Sequence, residues 1–231
     1  MAATWPVLVS AHGSSVTTAV VACWVCSSIS SAVRGTATSA LSRSASHDRR
    51  DLSDTDLVPE LIVIVGPIAS GKSTVAHGLG CRFRAAGRPV AVLDLDDVVD
   101  TIGGFAGLTP GQFRQAQLVH GELVGAWLRR RFAVIAHGPF FEPEEDRAVL
   151  HAVPAGIVPR RVQLLATYEA ALARTALDRG RAASKDPGFL RAAYDRAGSL
   201  LPGLPPAAWS FDTTTRSSRE IVDALAADLL P

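Results

Sequence analysis

Gly66-Pro67-Ile68-Ala69-Ser70-Gly71-Lys72-Ser73 is the stretch whose reading decides the fold. It fits G-x-x-x-x-G-K-[ST], the phosphate-binding P-loop (Walker A) pattern. Leu61-Ile62-Val63-Ile64-Val65 runs into it and reads as a buried strand. Thr74-Val75-Ala76-His77-Gly78-Leu79 runs out of it and reads as the start of a helix. Strand, glycine loop, helix is the order the chemistry needs. Backbone N–H groups of the loop and the helix N-terminus then converge where an anion can sit. The candidate phosphate contacts are Gly66, Ala69, Ser70, Gly71, Lys72, Ser73 and Thr74. Lys72 carries a point charge to the β/γ-phosphates, and the Ser73 hydroxyl suits a magnesium ion.

Composition sharpens the reading of Lys72. The chain has 23 basic residues, of which only Lys72 and Lys185 are lysine. The rest are arginine, as expected of a GC-rich genome. A lysine retained against that bias marks a place where a compact ammonium is needed. Lys185 is either a second such place or a leftover surface lysine.

The chain has 231 residues, a formal charge of +1 and 48% hydrophobic residues. That length allows one domain with an extension, or two small domains. The near-neutral balance gives no electrostatic case for nucleic acid or an anionic membrane as the main partner. Cys23 and Cys26 form C-x-x-C, but no second pair and no βαβ pattern surround them, so neither redox chemistry nor zinc is expected. Cys81 falls on the apolar side of the helix after the loop and is expected in the core.

Residues 1–57 differ from the rest. They are rich in Ser, Ala, Thr and Val, and His12 is the sole ionisable side chain before Arg34. Val16 to Cys26 is apolar but short for a span, and no basic residues precede it as a secretory signal requires. Ser42 to Asp56 is polar and without period. The expectation is a low-complexity, disordered extension, in keeping with a start codon assigned too early, followed by a folded domain over 58–231. A membrane-associated segment is the alternative. No stable membrane insertion is expected, the location expected is the cytoplasm, and no feature fixes an oligomeric state.

From Glu60 onward strands and helices alternate. Strands are expected at 61–65, 89–93, 132–136, 161–166 and 208–211. Helices are expected at 72–86, from Thr109 to about Arg131, and at 143–151, 169–178, 187–197 and 218–229. Thr109-Pro110-Gly111-Gln112 carries an N-cap, a proline at N1 and a capping-box glutamine. Alternating βα units imply a parallel sheet with helices on both faces, and ligands at the carboxyl ends of its strands.

Those ends carry the candidate chemistry. There is no N-K-x-D for guanine, and the third strand ends in His137-Gly138 rather than in an acid. The carboxylates stand instead at the end of the second strand, as Asp94 and Asp96. At the mouth of a strand, residues two apart point the same way. One can reach a metal shell while the other orients an acceptor hydroxyl and takes its proton. The alternative is helix capping by Asp96 or Asp97, with Asp97 favoured.

With the loop and Leu93-Asp94-Leu95-Asp96 in hand, the chain from about residue 59 resembles the P-loop small-molecule kinases: shikimate kinase, gluconate kinase, adenylylsulfate kinase and chloramphenicol phosphotransferase. The resemblance implies an α/β P-loop NTPase fold with a five-stranded sheet in the order 2-3-1-4-5 and a short lid. It implies ATP and Mg²⁺ as cofactors and a small hydroxylated molecule as acceptor. It places Asp94 in the metal shell with Ser73, and Asp96 as acceptor contact or general base. It makes the stretch from Leu172 to Pro187 the lid, with Arg181 or Arg179 on the transferred group and Arg174 bordering the adenine. It sets Asp212 and Thr213 beside the base, where a cap for the last helix is the plain alternative. His137 to Phe141 would floor the acceptor pocket, His137 being a base, a substrate contact or hydrogen-bonded packing. Arg114 and His120 are expected on a solvated helix face. The acceptor itself is not written in these motifs.

Overall fold

The computed structural model describes residues 58–177 and 183–230. Five parallel strands form one sheet: β1 (Leu61–Val65), β2 (Val90–Asp94), β3 (Ala133–His137), β4 (Arg160–Leu165) and β5 (Trp209–Asp212), in the order β2-β3-β1-β4-β5. This is the order expected. Among the described residues, seven α-helices accompany them: α1 (Lys72–Ala85), α2 (Leu95–Asp100), α3 (Pro110–Arg129), α4 (Pro143–Leu150), α5 (Tyr168–Leu177), α6 (Pro187–Leu200) and, after the last strand, α7 (Ser218–Leu229).

The sheet explains itself from β1. All five of its residues are buried, because helices cover both faces. Side chains alternate across a strand, so Ile62 and Ile64 enter one core and Leu61, Val63 and Val65 the other. The first core packs Val75, Leu79 and Phe83 of α1 and Ile221 and Leu225 of α7. The second packs Leu95 and Val99 of α2, Val124 and Leu128 of α3, and Val149 of α4.

Local signals act where they were read. Thr109 and Gln112 close the expected capping box at the start of α3, whereas α7 is capped by Ser217 with Glu220 and not by Asp212 or Thr213. One boundary moves with consequence. β2 runs one residue further than expected and α2 begins immediately, so Asp94 itself is the N-cap, accepting from the Asp96 N–H at 3.1 Å. The cap expected of Asp97 is thereby corrected. Cys81 is also corrected: it is half-buried, not in the core.

Gly121 and Gly125, one turn apart on α3, let that helix meet the backbone of α4 and its C-terminal turn. A Cβ at Gly121 would stand 2.1 Å from the Ala148 carbonyl oxygen, and one at Gly125 2.1 Å from that of Ala152. Backbone cannot yield as a side chain can. Gly121→Ala is therefore expected to cost roughly 1–3 kcal/mol, read as a lowered urea midpoint with unchanged slope. An unchanged midpoint would refute this tight approach.

Candidate nucleotide and phosphoryl-transfer site

The loop between β1 and α1 holds its shape by two close constraints. A Cβ at Gly66 would lie 2.4 Å from the Leu164 carbonyl oxygen of β4. Gly71 has φ 90°, the left-handed backbone that glycine adopts at least cost, and is the N-cap of α1. Ala69 also lies in the left-handed region, at φ 57°.

The four carbonyls from Gly66 to Ala69 are each met by a side chain. Lys72 Nζ donates to the Gly66 and Pro67 oxygens, both at 2.9 Å. Tyr194 of α6 donates its hydroxyl to the Ile68 oxygen at 3.0 Å. Arg174 of α5 donates to the Ala69 oxygen at 2.9 Å. Ser70 is fully buried, and its hydroxyl has no hydrogen-bond partner.

Beside the loop, Ser73 Oγ and Asp94 Oδ2 converge at 3.4 Å. Burial, then the neighbouring Asp96 carboxylate, pushes the Asp94 acid from 3.8 up to about 6. Two oxygen donors with uncompensated negative charge fit a hard divalent cation, and magnesium needs only one or two protein oxygens besides phosphates and water. Among the described residues, no group of three or more His, Cys, Asp or Glu side chains gathers as a metal site would require of protein ligands alone.

His137 lies across the sheet from Asp94, the two being register partners. Its Nδ1 stands 3.4 Å from Asp94 Oδ1. The pair is not an ion pair, because burial, then the charge of Lys72, holds the imidazole down at about 3. The hydrogen-bonded packing expected for His137 is corrected in one respect: both ring nitrogens are buried without a hydrogen bond. His120 is corrected more fully. It is not solvated but wholly buried, with Nε2 3.2 Å from the Leu93 carbonyl oxygen. Arg114 is half-buried rather than solvated, and donates to the Glu144 carbonyl oxygen at 2.7 Å. Phe140 and Phe141 are buried, Phe140 within the second core.

The premise that Asp94 and Asp96 project in parallel from a strand does not hold. Asp96 is the second residue of α2 and is exposed. It stands one residue from Leu95, which is buried in the second core. The two carboxylates are therefore set by a helix cap and a helix turn, not by strand alternation.

A cavity of about 400 Å³ opens beside the loop. Ser70, Gly71 and Thr74 form one wall, Arg174 another, and Thr213 to Ser218 a third. Arg174 ties two of these walls together, donating to Thr213 Oγ1 at 3.1 Å and to its carbonyl oxygen at 2.5 Å as well as to Ala69. Thr213 is thus a wall of this cavity. Asp212 is not; it accepts from the Thr214 N–H at 2.8 Å and shapes the turn. Thr215, Arg216, Ser217 and Ser218 line the cavity and were not named from sequence. Their signal was the run Thr213-Thr214-Thr215-Arg216-Ser217-Ser218 between a strand and a capped helix. Arg179 and Arg181 lie outside the described residues. Lys185 is exposed, at the end of a 3₁₀ turn, Ala183–Lys185.

The AAA domain family profile matches residues 61–197. The chain belongs to that family. Among solved structures, the shikimate kinase of Acinetobacter baumannii in complex with shikimate is similar, at 21% identity, covering 77% of this chain and 98% of that one, TM-score 0.53. A sugar kinase of Janibacter is similar at 17% identity over 75% and 96%, TM-score 0.54. The Mycobacterium tuberculosis APS kinase in complex with AMPPNP and APS is similar at 19% over 74% and 97%, TM-score 0.54. At such identities the likeness is one of fold. Curated protein sequences provide no match. No helix among the described residues of this AAA-domain chain is long and apolar enough to cross a membrane.

Proposed function

We propose that this AAA-domain protein transfers the terminal phosphoryl group of ATP, with Mg²⁺, to a hydroxyl of a small molecule. One observation carries the reading: loop, ammonium, the Ser73–Asp94 pair and a cavity of about 400 Å³ all meet at the carboxyl end of one sheet. Lys72 and the loop amides hold the β/γ-phosphates. Ser73 and Asp94 hold the cation, which neutralises phosphate charge when bound. Arg174, Thr213 and the 214–218 turn border the base and ribose. Asp96 orients the acceptor hydroxyl and takes its proton, and Arg181 or Arg179, in a lid, balances charge on the transferred group. Residues 58–231 form the catalytic domain, 1–57 an extension, and the place of action is the cytoplasm.

The acceptor class is open to direct test with a panel of hydroxylated metabolites, aminoglycosides and phenicols, read as acceptor-stimulated ADP release. On the acceptor that responds, Asp96→Asn is expected to lower turnover 10²- to 10⁴-fold while ATP affinity by calorimetry stays within about threefold. An unchanged turnover would remove Asp96 from the chemistry. ATP binding without stimulation by any acceptor would favour a nucleotide-binding regulator instead.

A further inference from the structure

Ala69 is the strained point of the loop. A residue with a Cβ is strained in the left-handed region, and such strain persists only where the surroundings impose it. Ala69 sits at φ 57°, and the peptides on both of its sides are anchored from outside. The Ile68–Ala69 carbonyl accepts from Tyr194, and the Ala69–Ser70 carbonyl from Arg174.

A peptide unit is planar and trans, so fixing its C=O on one side turns the following N–H to the other. Holding the Ile68 oxygen outward thus aims the Ala69 N–H inward, while the Ser70 N–H closes a turn on the Pro67 carbonyl oxygen at 3.2 Å. Lys72 performs the same service for Gly66 and Pro67 while its ammonium lies on their oxygens at 2.9 Å, the Pro67 oxygen being held by the Ser70 N–H as well. Once that ammonium turns to a phosphate, those two holds weaken. Tyr194 and Arg174 then remain.

Tyr194 is built for constancy. Burial raises its phenol to about 12, so it stays a donor across the working range of pH. Its ring packs edge-on to Tyr168 with centroids 5.9 Å apart. Tyr168 in turn donates to the Pro187 carbonyl oxygen at 3.2 Å and carries the Arg191 guanidinium 3.5 Å over its ring. The hydroxyl therefore reports the position of α6 to the loop tip.

We infer that Tyr194 is a positioning residue: by fixing the Ile68 carbonyl it keeps the strained Ala69 peptide turned toward the phosphates, so that α6 sets phosphate affinity. The inference rests on the nucleotide reading above. It touches no reacting atom and differs from the roles given to Lys72, Asp94 and Asp96.

The test is Tyr194→Phe in the full chain, which keeps the ring and removes the hydroxyl. ADP and adenosine affinities are measured by calorimetry, with the thermal midpoint. The expected result is ADP affinity lowered about fivefold, the worth of one hydrogen bond, with adenosine affinity unchanged within twofold. The same substitution in an Ala69→Gly background is expected to cost less than half as much, since glycine needs no hold there. Equal loss for ADP and adenosine, no loss for either, or an undiminished effect beside Gly at 69 would each overturn the inference. If the wild-type chain shows no preference for ADP over adenosine, the nucleotide reading itself fails, before any variant is compared.

Discussion

Lys72→Ala is expected to abolish nearly all of the proposed turnover, kcat/KM for the acceptor reaction falling by roughly 10³, the scale of one preorganised charge lost from a transferring phosphoryl group. Lys72→Arg is expected to recover little of it. The ammonium reaches two loop oxygens at 2.9 Å from within a half-buried loop. A guanidinium is planar and broad, and cannot replace a compact charge in that space. The composition carries the same message, since 21 of the 23 basic residues are arginine and this one is not. The check is ADP release across a range of acceptor concentrations, with ATP affinity measured in parallel. A Lys72→Arg enzyme within tenfold of wild type would show that charge alone suffices and would remove the geometric argument.

The fold was legible because each level of the sequence agreed with the next. β1 is five apolar residues followed by a glycine loop, and it occupies the centre of the sheet as that pattern demands. The capping box at Thr109 and the amphipathic α7 fell where read, since local hydrogen bonds fixed them. Ser70, Gly71, Thr74 and Thr213 come together beside one cavity because each lies just past the end of a parallel strand.

What was not legible depended on contacts distant in sequence. His120 has the polarity of a surface residue, yet tertiary packing buries it against the Leu93 carbonyl, 27 positions away. Tyr194 lies 126 positions from Ile68, and no spacing rule links them. Asp94 and Asp96 misled for a subtler reason. D-x-D projects in parallel only if the strand continues through it, and Leu95 instead enters the second core and starts α2. Strand alternation gave way to helix geometry at the residue on which the chemistry turned. Arg174 holds the Ala69 carbonyl across 105 positions of sequence, a contact that no local motif encodes.

Asp94→Asn is expected to do two opposite things. Phosphoryl transfer falls by roughly 10²- to 10³-fold, because an amide oxygen offers the cation no charge. Stability at neutral pH rises. Burial and Asp96 raise the Asp94 acid from 3.8 to about 6, so the folded state prefers it protonated. Its contribution is fully present below about pH 4 and is lost as pH rises through about 6. Above that, ionisation costs on the order of 2 kcal/mol, and asparagine escapes the cost. Asparagine also remains a good N-cap, able to accept from the Asp96 N–H. His137 runs the other way: burial and Lys72 hold it down at about 3, so it costs stability as pH falls below its ordinary value near 6.5. The wild-type profile therefore mixes two opposed groups, and the difference between variant and wild type isolates Asp94. Urea midpoints from pH 4 to 8 should show the variant gaining as pH rises, with no gain near pH 4. Magnesium with ADP should then stabilise the wild type and leave the variant nearly unmoved. A variant no more stable at pH 8 than at pH 4, relative to wild type, would mean that the carboxylate is not strained by burial. Equal stabilisation of both by magnesium and ADP would mean that Asp94 does not hold the cation.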